Sequence, residues 1–70
     1  MCPLCDIVKD ELQSKFKGRY QLELVDITKP GNEHLMALYK YDIPVLFLEN
    51  QYLCKHKLDT ELLNNRLQEI

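Results

Sequence analysis

Cys2 and Cys5, three positions apart, stand at the head of an apolar stripe that a helix gathers onto one face: Leu4, Ile7, Val8, Leu12 and Phe16 recur at spacings of three and four. The chain is therefore expected to open with a helix that starts at the cysteines and ends near Gly18, a residue suited to the left-handed stop of a helix. Two sulfurs so spaced across a first turn are close enough to bond reversibly. Pro3 suits the first helical position, because its missing N–H has no partner there and its fixed φ stiffens the turn between the sulfurs. The positive end of the helix dipole lowers a thiol pKa from about 8.5 toward the range of roughly 3.5 to 7.5 in such motifs. Cys2 is read as the exposed attacking thiolate and Cys5 as the more buried resolving thiol, working by thiolate attack on a disulfide sulfur. The other use of such a pair is metal ligation, which needs a second pair of Cys or His. Only Cys54 and His56 offer one, and their one-residue spacing is unlike a zinc half-site, so no metal is expected.

Downstream, Tyr20 to Ile27 begins as strict alternation and ends with Leu24, Val25 and Ile27, which predicts a strand whose second half is buried on both faces. Lys29-Pro30-Gly31-Asn32 is a turn cluster, and Glu33 to Lys40 suits a short helix. Val45 to Leu48 and Gln51 to Leu53, separated by Glu49-Asn50, predict a hairpin. Asp59 can cap a last helix from Thr60 to the chain end, with Leu58 and Leu63 placed as a hydrophobic staple and a stripe of Leu63, Leu67 and Ile70. Ile43-Pro44-Val45 sets a proline at the mouth of a strand, where a ladder N–H is lost and some compensating use is implied.

Seventy residues make one domain, 1–70, and a chain this short buries only about 60% of its unfolded surface. An apolar fraction of 46% with 29% charged residues marks it as folded rather than disordered. The net charge of -2 provides no footprint for a nucleic-acid backbone. No apolar run approaches the roughly 20 residues of a membrane span. Three cysteines, two paired in pattern and one alone, suit a reducing intracellular compartment, cytoplasmic or mitochondrial.

Cys2-Pro3-Leu4-Cys5-Asp6, Val25-Asp26-Ile27-Thr28 and Tyr39-Lys40-Tyr41-Asp42-Ile43-Pro44-Val45 together resemble the glutaredoxins, and within them the small glutaredoxin-like proteins with a Cys-Pro-Leu-Cys motif followed by an acidic residue. The resemblance extends over essentially the whole chain. It implies a thioredoxin-like α/β fold of three layers, α/β/α, and thiol–disulfide exchange through a Cys2–Cys5 redox disulfide. Glutathione is the implied reductant, no bound cofactor is needed, and the partners are glutathione or protein disulfides. The resemblance also implies a cis-proline at Pro44 facing the dithiol, with the Ile43 backbone left to pair with substrate. Two departures stand out. Cys54-Lys55 falls where glutaredoxins carry a Gly-Gly pair that admits the backbone of glutathione, and the strand that precedes the motif in the family has only Met1 in its place. The expected fold is thus truncated before the first helix, with unpaired sheet edges through which chains could self-associate.

The remaining candidates have plainer readings. Cys54 is expected to be a small core residue rather than an extra resolving thiol. His34 and His56 are expected at solvated positions. Lys9, Lys15, Lys17, Lys55 and Lys57 could steer carboxylates but suit solvation equally. Tyr39 and Tyr41 flank the loop before Pro44, one expected to pack and the other to be half-exposed. The leading function is a glutaredoxin-type thiol–disulfide oxidoreductase with Cys2 and Cys5 catalytic and Ile43 and Pro44 binding substrate. The alternative is a thioredoxin-fold binding module with weak or no catalysis.

Overall fold

The computed structural model describes residues 2–70. It contains α1 (Pro3–Lys15), α2 (Glu33–Tyr39), β1 (Val45–Leu48), β2 (Gln51–Lys55) and α3 (Thr60–Gln68). The expected truncation before the first helix concerns the position of Met1, which lies outside the described residues.

α1 forms where the three-and-four spacing places it and gives way at Phe16, followed by Gly18 at φ 80°. Val8, Leu12 and Phe16 are buried, whereas Leu4 and Ile7, on the turns nearest the cysteines, are exposed. Val8, Leu12 and Phe16 join Leu53, Leu58 and Leu63 in one core cluster. At the start of α3 the Asp59 side chain accepts the N–H of Leu62 at 3.0 Å. Leu58 before the cap and Leu63 after it are both buried in that cluster, as a staple requires.

The hairpin is closed by Glu49 and Asn50 at φ 51° and 65°, the double left-handed geometry that matches the twist of two antiparallel strands. Its second strand runs on to Lys55, further than Leu53. A bulge follows from the register: Leu46 pairs with Cys54 but Phe47 pairs with Tyr52, which leaves Leu53 as an extra residue. Cys54 and Tyr52 are thereby turned to opposite faces. Leu46, Leu48, Leu53 and Cys54 pack on the core beneath α1 and α3, while Phe47 stacks edge-on with Tyr52 at 6.1 Å and with Tyr39 of α2 at 6.2 Å. The layers run α1 and α3, then the hairpin, then α2, which is a small α/β arrangement consistent with a thioredoxin-like fold.

Residues 20–27 depart from expectation. They form no strand, and Leu24 and Val25 are 68% and 55% exposed rather than buried on both faces. An alternating segment becomes a strand only when a neighbouring strand takes up its N–H and C=O groups, and among the described residues no strand does so; the Asp26 carbonyl is bonded within the turn that follows, to the Lys29 N–H and Asn32 Nδ2. α2 likewise buries none of its side chains, and Leu38 is exposed. Ile70, expected on the stripe of α3, lies past the helix end and is exposed. No helix among the described residues is long and apolar enough to cross a membrane.

Candidate functional site

Helix geometry leaves the first N–H groups of α1 without intrahelical acceptors, and what satisfies them defines the chemistry of this end. Cys2 is the N-cap, extended at φ -137° and ψ 92°, with its carbonyl taking the first helical bond from Asp6 N–H at 3.2 Å. Pro3 supplies no N–H. The Cys5 N–H turns back to the Cys2 Sγ at 3.2 Å, so the sulfur does what a serine or aspartate oxygen does at other helix starts. Cys2 and Cys5 are joined in a disulfide with their Cα atoms 5.2 Å apart. Both are half-buried, so burial does not separate an exposed attacker from a hidden resolver.

Val8 and Leu12 of α1, with Phe16 at its C-cap, anchor the helix in the core, while Leu4, between the two cysteines in sequence, and Ile7 are exposed apolar residues on the turns nearest them. Asp6 pairs with Lys9 at 3.6 Å on the exposed surface, an arrangement worth little in water.

The second candidate element is the corner before β1. The Ile43–Pro44 bond is cis, and both residues are half-buried. His56, held at φ 69° just past β2, donates its backbone N–H to the Pro44 carbonyl at 2.8 Å. Asp42 ties the same corner to the hairpin through side chains, its Oδ1 lying 3.3 Å from Lys55 Nζ and 3.9 Å from His56 Nε2. No motif in the sequence marks this cluster, since the register Val45↔Lys55 is what brings position 55 back to position 42. His56 is exposed, as expected, while its backbone N–H holds the corner.

Other candidates fall where plain physics puts them. Cys54 is a free, half-buried thiol opposite Leu46 that packs against the core. Lys9, Lys15 and Lys55 each approach a carboxylate of the chain itself. Tyr39 packs on Phe47, and Tyr41 is largely exposed beneath the Lys40 ammonium, 5.0 Å from its ring. His34 is exposed. The disulfide and the Pro44 corner belong to different elements, and among the described residues no hydrogen bond or ion pair joins them.

This arrangement, a bonded cysteine pair on the first turn of a helix in a small α/β fold, can undergo two-electron thiol–disulfide chemistry. Comparison with known proteins bears on the same point. A glutaredoxin-like protein of Dictyostelium discoideum, described as a YDR286C homolog, is 28% identical over 74 aligned residues, covering 99% of this chain and 68% of that protein. The family described as Glutaredoxin-like domain (DUF836) matches residues 1–68. Family and cysteine pair together support a redox-related role of the thioredoxin kind. The chain belongs to the glutaredoxin-like family.

Proposed function

We propose that the chain is a thiol–disulfide oxidoreductase of glutaredoxin type, with the Cys2–Cys5 disulfide as its oxidised resting state. In the reduced form the Cys2 thiolate attacks one sulfur of a substrate disulfide, forms a mixed disulfide and expels the other sulfur as a thiolate, which takes a proton from water. The Cys5 thiolate then attacks Cys2 Sγ, releases the second substrate thiol and closes the intramolecular bond. Two glutathione thiols restore the dithiol and leave as glutathione disulfide, so no bound cofactor takes part. The substrate is a protein disulfide or a glutathione mixed disulfide, guided by Ile43 and Pro44, and the setting is a reducing intracellular compartment.

The observation that carries this reading is the Cys2 sulfur accepting the Cys5 N–H at the start of α1. The same N–H and the helix dipole stabilise a thiolate after reduction. A second reading, a binding module with little or no catalysis, draws on the exposed apolar residues of 20–27.

Alkylation followed by mass spectrometry across a series of glutathione redox buffers, with circular dichroism on the same samples, separates them. A reversible dithiol–disulfide transition in folded protein, together with disulfide reductase turnover that Cys2→Ser abolishes, is expected. Folded protein that cycles its sulfurs without turnover belongs to the binding reading. A pair that never closes in folded protein overturns the enzyme.

A further inference from the structure

Ile43, proposed to guide the substrate, does little to place itself. Among the described residues neither its N–H nor its C=O enters a backbone hydrogen bond, and Pro44 after it has no N–H to give. Its two neighbours are fixed instead, and both to the same place. The Pro44 carbonyl accepts the His56 N–H at 2.8 Å. The Asp42 N–H is donated to the Tyr39 carbonyl at 2.8 Å, in the turn that leaves α2, and Asp42 Oδ1 reaches across to Lys55 Nζ at 3.3 Å and His56 Nε2 at 3.9 Å. Positions 55 and 56 thus hold the chain on either side of Ile43, and Asp42 stands where the end of α2, the entry to β1 and the exit from β2 meet.

The anchor has a shape of its own. His56 takes φ 69° just past β2, and the Lys57 N–H closes back on the Lys55 carbonyl at 2.8 Å, so residues 55–57 turn tightly rather than trail. Packing holds the other side of the corner weakly: α2 buries none of its side chains, and Tyr41 is 83% exposed beneath the Lys40 ammonium. A part-exposed ion pair adds little to global stability. Where packing is thin, its effect falls instead on how often a loop occupies one arrangement.

We propose that Asp42 is a positioning residue: through Lys55, with His56 beside it, it holds the corner so that Ile43 meets the substrate. This rests on the thiol–disulfide reading for its consequence, though not for its geometry. Without the tie the corner samples other arrangements, and substrate binds only the fraction of molecules with Ile43 in place, so KM rises by the inverse of that fraction. The sulfurs lie on α1, and among the described residues no hydrogen bond or ion pair joins them to the corner. Their exchange step, once substrate is bound, and their balance with glutathione are therefore untouched.

Asp42→Asn and Lys55→Met, singly and together, test this against the unmodified chain. Three quantities are followed: steady-state reduction of a glutathionylated cysteine peptide, amide hydrogen exchange at His56, and the dithiol–disulfide transition in glutathione buffers. Each single variant is expected to raise KM about threefold at unchanged kcat and to quicken His56 exchange by a similar factor. The double variant adds little to either, since both substitutions remove one interaction, and the glutathione transition stays where it was. Glu11→Gln, which breaks an ion pair of similar length with Lys15 on α1, 3.2 Å, moves none of the three. An unchanged KM, a loss confined to kcat, additive effects of the two substitutions, or a His56 amide indifferent to both overturns the proposal. If Asp42→Asn fails to fold, Lys55→Met decides it by the same KM and His56 readouts. The two readings fail separately. An unmodified chain without turnover removes the oxidoreductase, and His56 exchange still decides whether Asp42 holds the corner; turnover with one KM throughout removes the positioning role alone.

Discussion

Residues 19–42 and residues 45–68 are equally long and equally apolar, each with eleven residues from the set Ala, Val, Ile, Leu, Met, Phe, Tyr and Cys, yet they behave differently. The later stretch buries Leu53, Leu58 and Leu63, and the earlier one buries nothing. Apolar content therefore does not separate them. The later stretch closes on itself within a few residues: a tight turn joins its strands, and a cap and staple fix its helix against β2. The earlier stretch holds an alternating segment and a short helix that touch little of each other, so Leu22, Leu24 and Leu38 stay exposed.

The core that the later stretch packs into, and the earlier one does not, is tested most sharply at Phe16, which is buried with Leu53, Leu58 and Leu63. Phe16→Ala is expected to remove about 3 to 5 kcal/mol, against a total stability of only about 0.05 to 0.15 kcal/mol per residue. Urea denaturation followed by circular dichroism should find that variant largely unfolded, while Leu38→Ala on α2 stays within about 0.5 kcal/mol of the parent. Equal losses from both would mean that α2 is packed after all. Removing the α3 cap with Asp59→Ala should cost about 1 kcal/mol in the same assay; no loss would show that the Leu58–Leu63 staple alone fixes the helix start. Glu49 occupies a left-handed position that asparagine tolerates better, and Glu49→Asn should raise the denaturation midpoint by an amount equivalent to about 0.5 kcal/mol.

The smallest effect sharpens the other side of the comparison, because the earlier stretch has one well-knit local structure. Asp26 Oδ1 accepts from Thr28 Oγ1 at 2.6 Å and from Thr28 N–H at 2.9 Å, and the Asp26 carbonyl accepts from Asn32 Nδ2 at 2.8 Å. The Thr28 hydroxyl, then its N–H, hold the Asp26 carboxyl below its ordinary value of 3.8. A depressed carboxyl favours the ordered turn above 3.8 and releases it as pH falls through the lowered value. The Thr28 amide resonance should accordingly titrate with a midpoint below 3.8. Asp26→Asn should abolish that transition, and a midpoint at or above the ordinary value would show that the turn is not formed.

Features set by neighbours in sequence were legible from the residues. The helix at the cysteines, the Glu49-Asn50 turn, the Asp59 cap and the Leu58–Leu63 staple each need only a few consecutive positions to specify them. Residues 20–27 were not, because alternation states which face a strand would bury and not whether a ladder partner exists. The bulge at Leu53 was hidden for a related reason: it belongs to the pairing of two strands and leaves no mark on either alone. It explains why Cys54 packs on the core face while Tyr52, two residues earlier, lies on the other. The tie from Asp42 to Lys55 and His56 is likewise a product of hairpin register. Among the site residues, Cys2 and Cys5 could be read as a unit because they sit on one helical turn, whereas what surrounds Pro44 could not.

The bond from the Cys5 N–H to the Cys2 sulfur couples two equilibria. Winding of the first turn of α1 and the oxidation state of its sulfur draw on one donor, so neither changes without biasing the other. By reciprocity, anything that tightens residues 2–6 more in one redox state shifts the sulfurs toward that state, and the sulfurs in turn regulate fraying. A ligand that grips Leu4 or Ile7 more firmly in one redox state would then bias the two sulfurs toward that state.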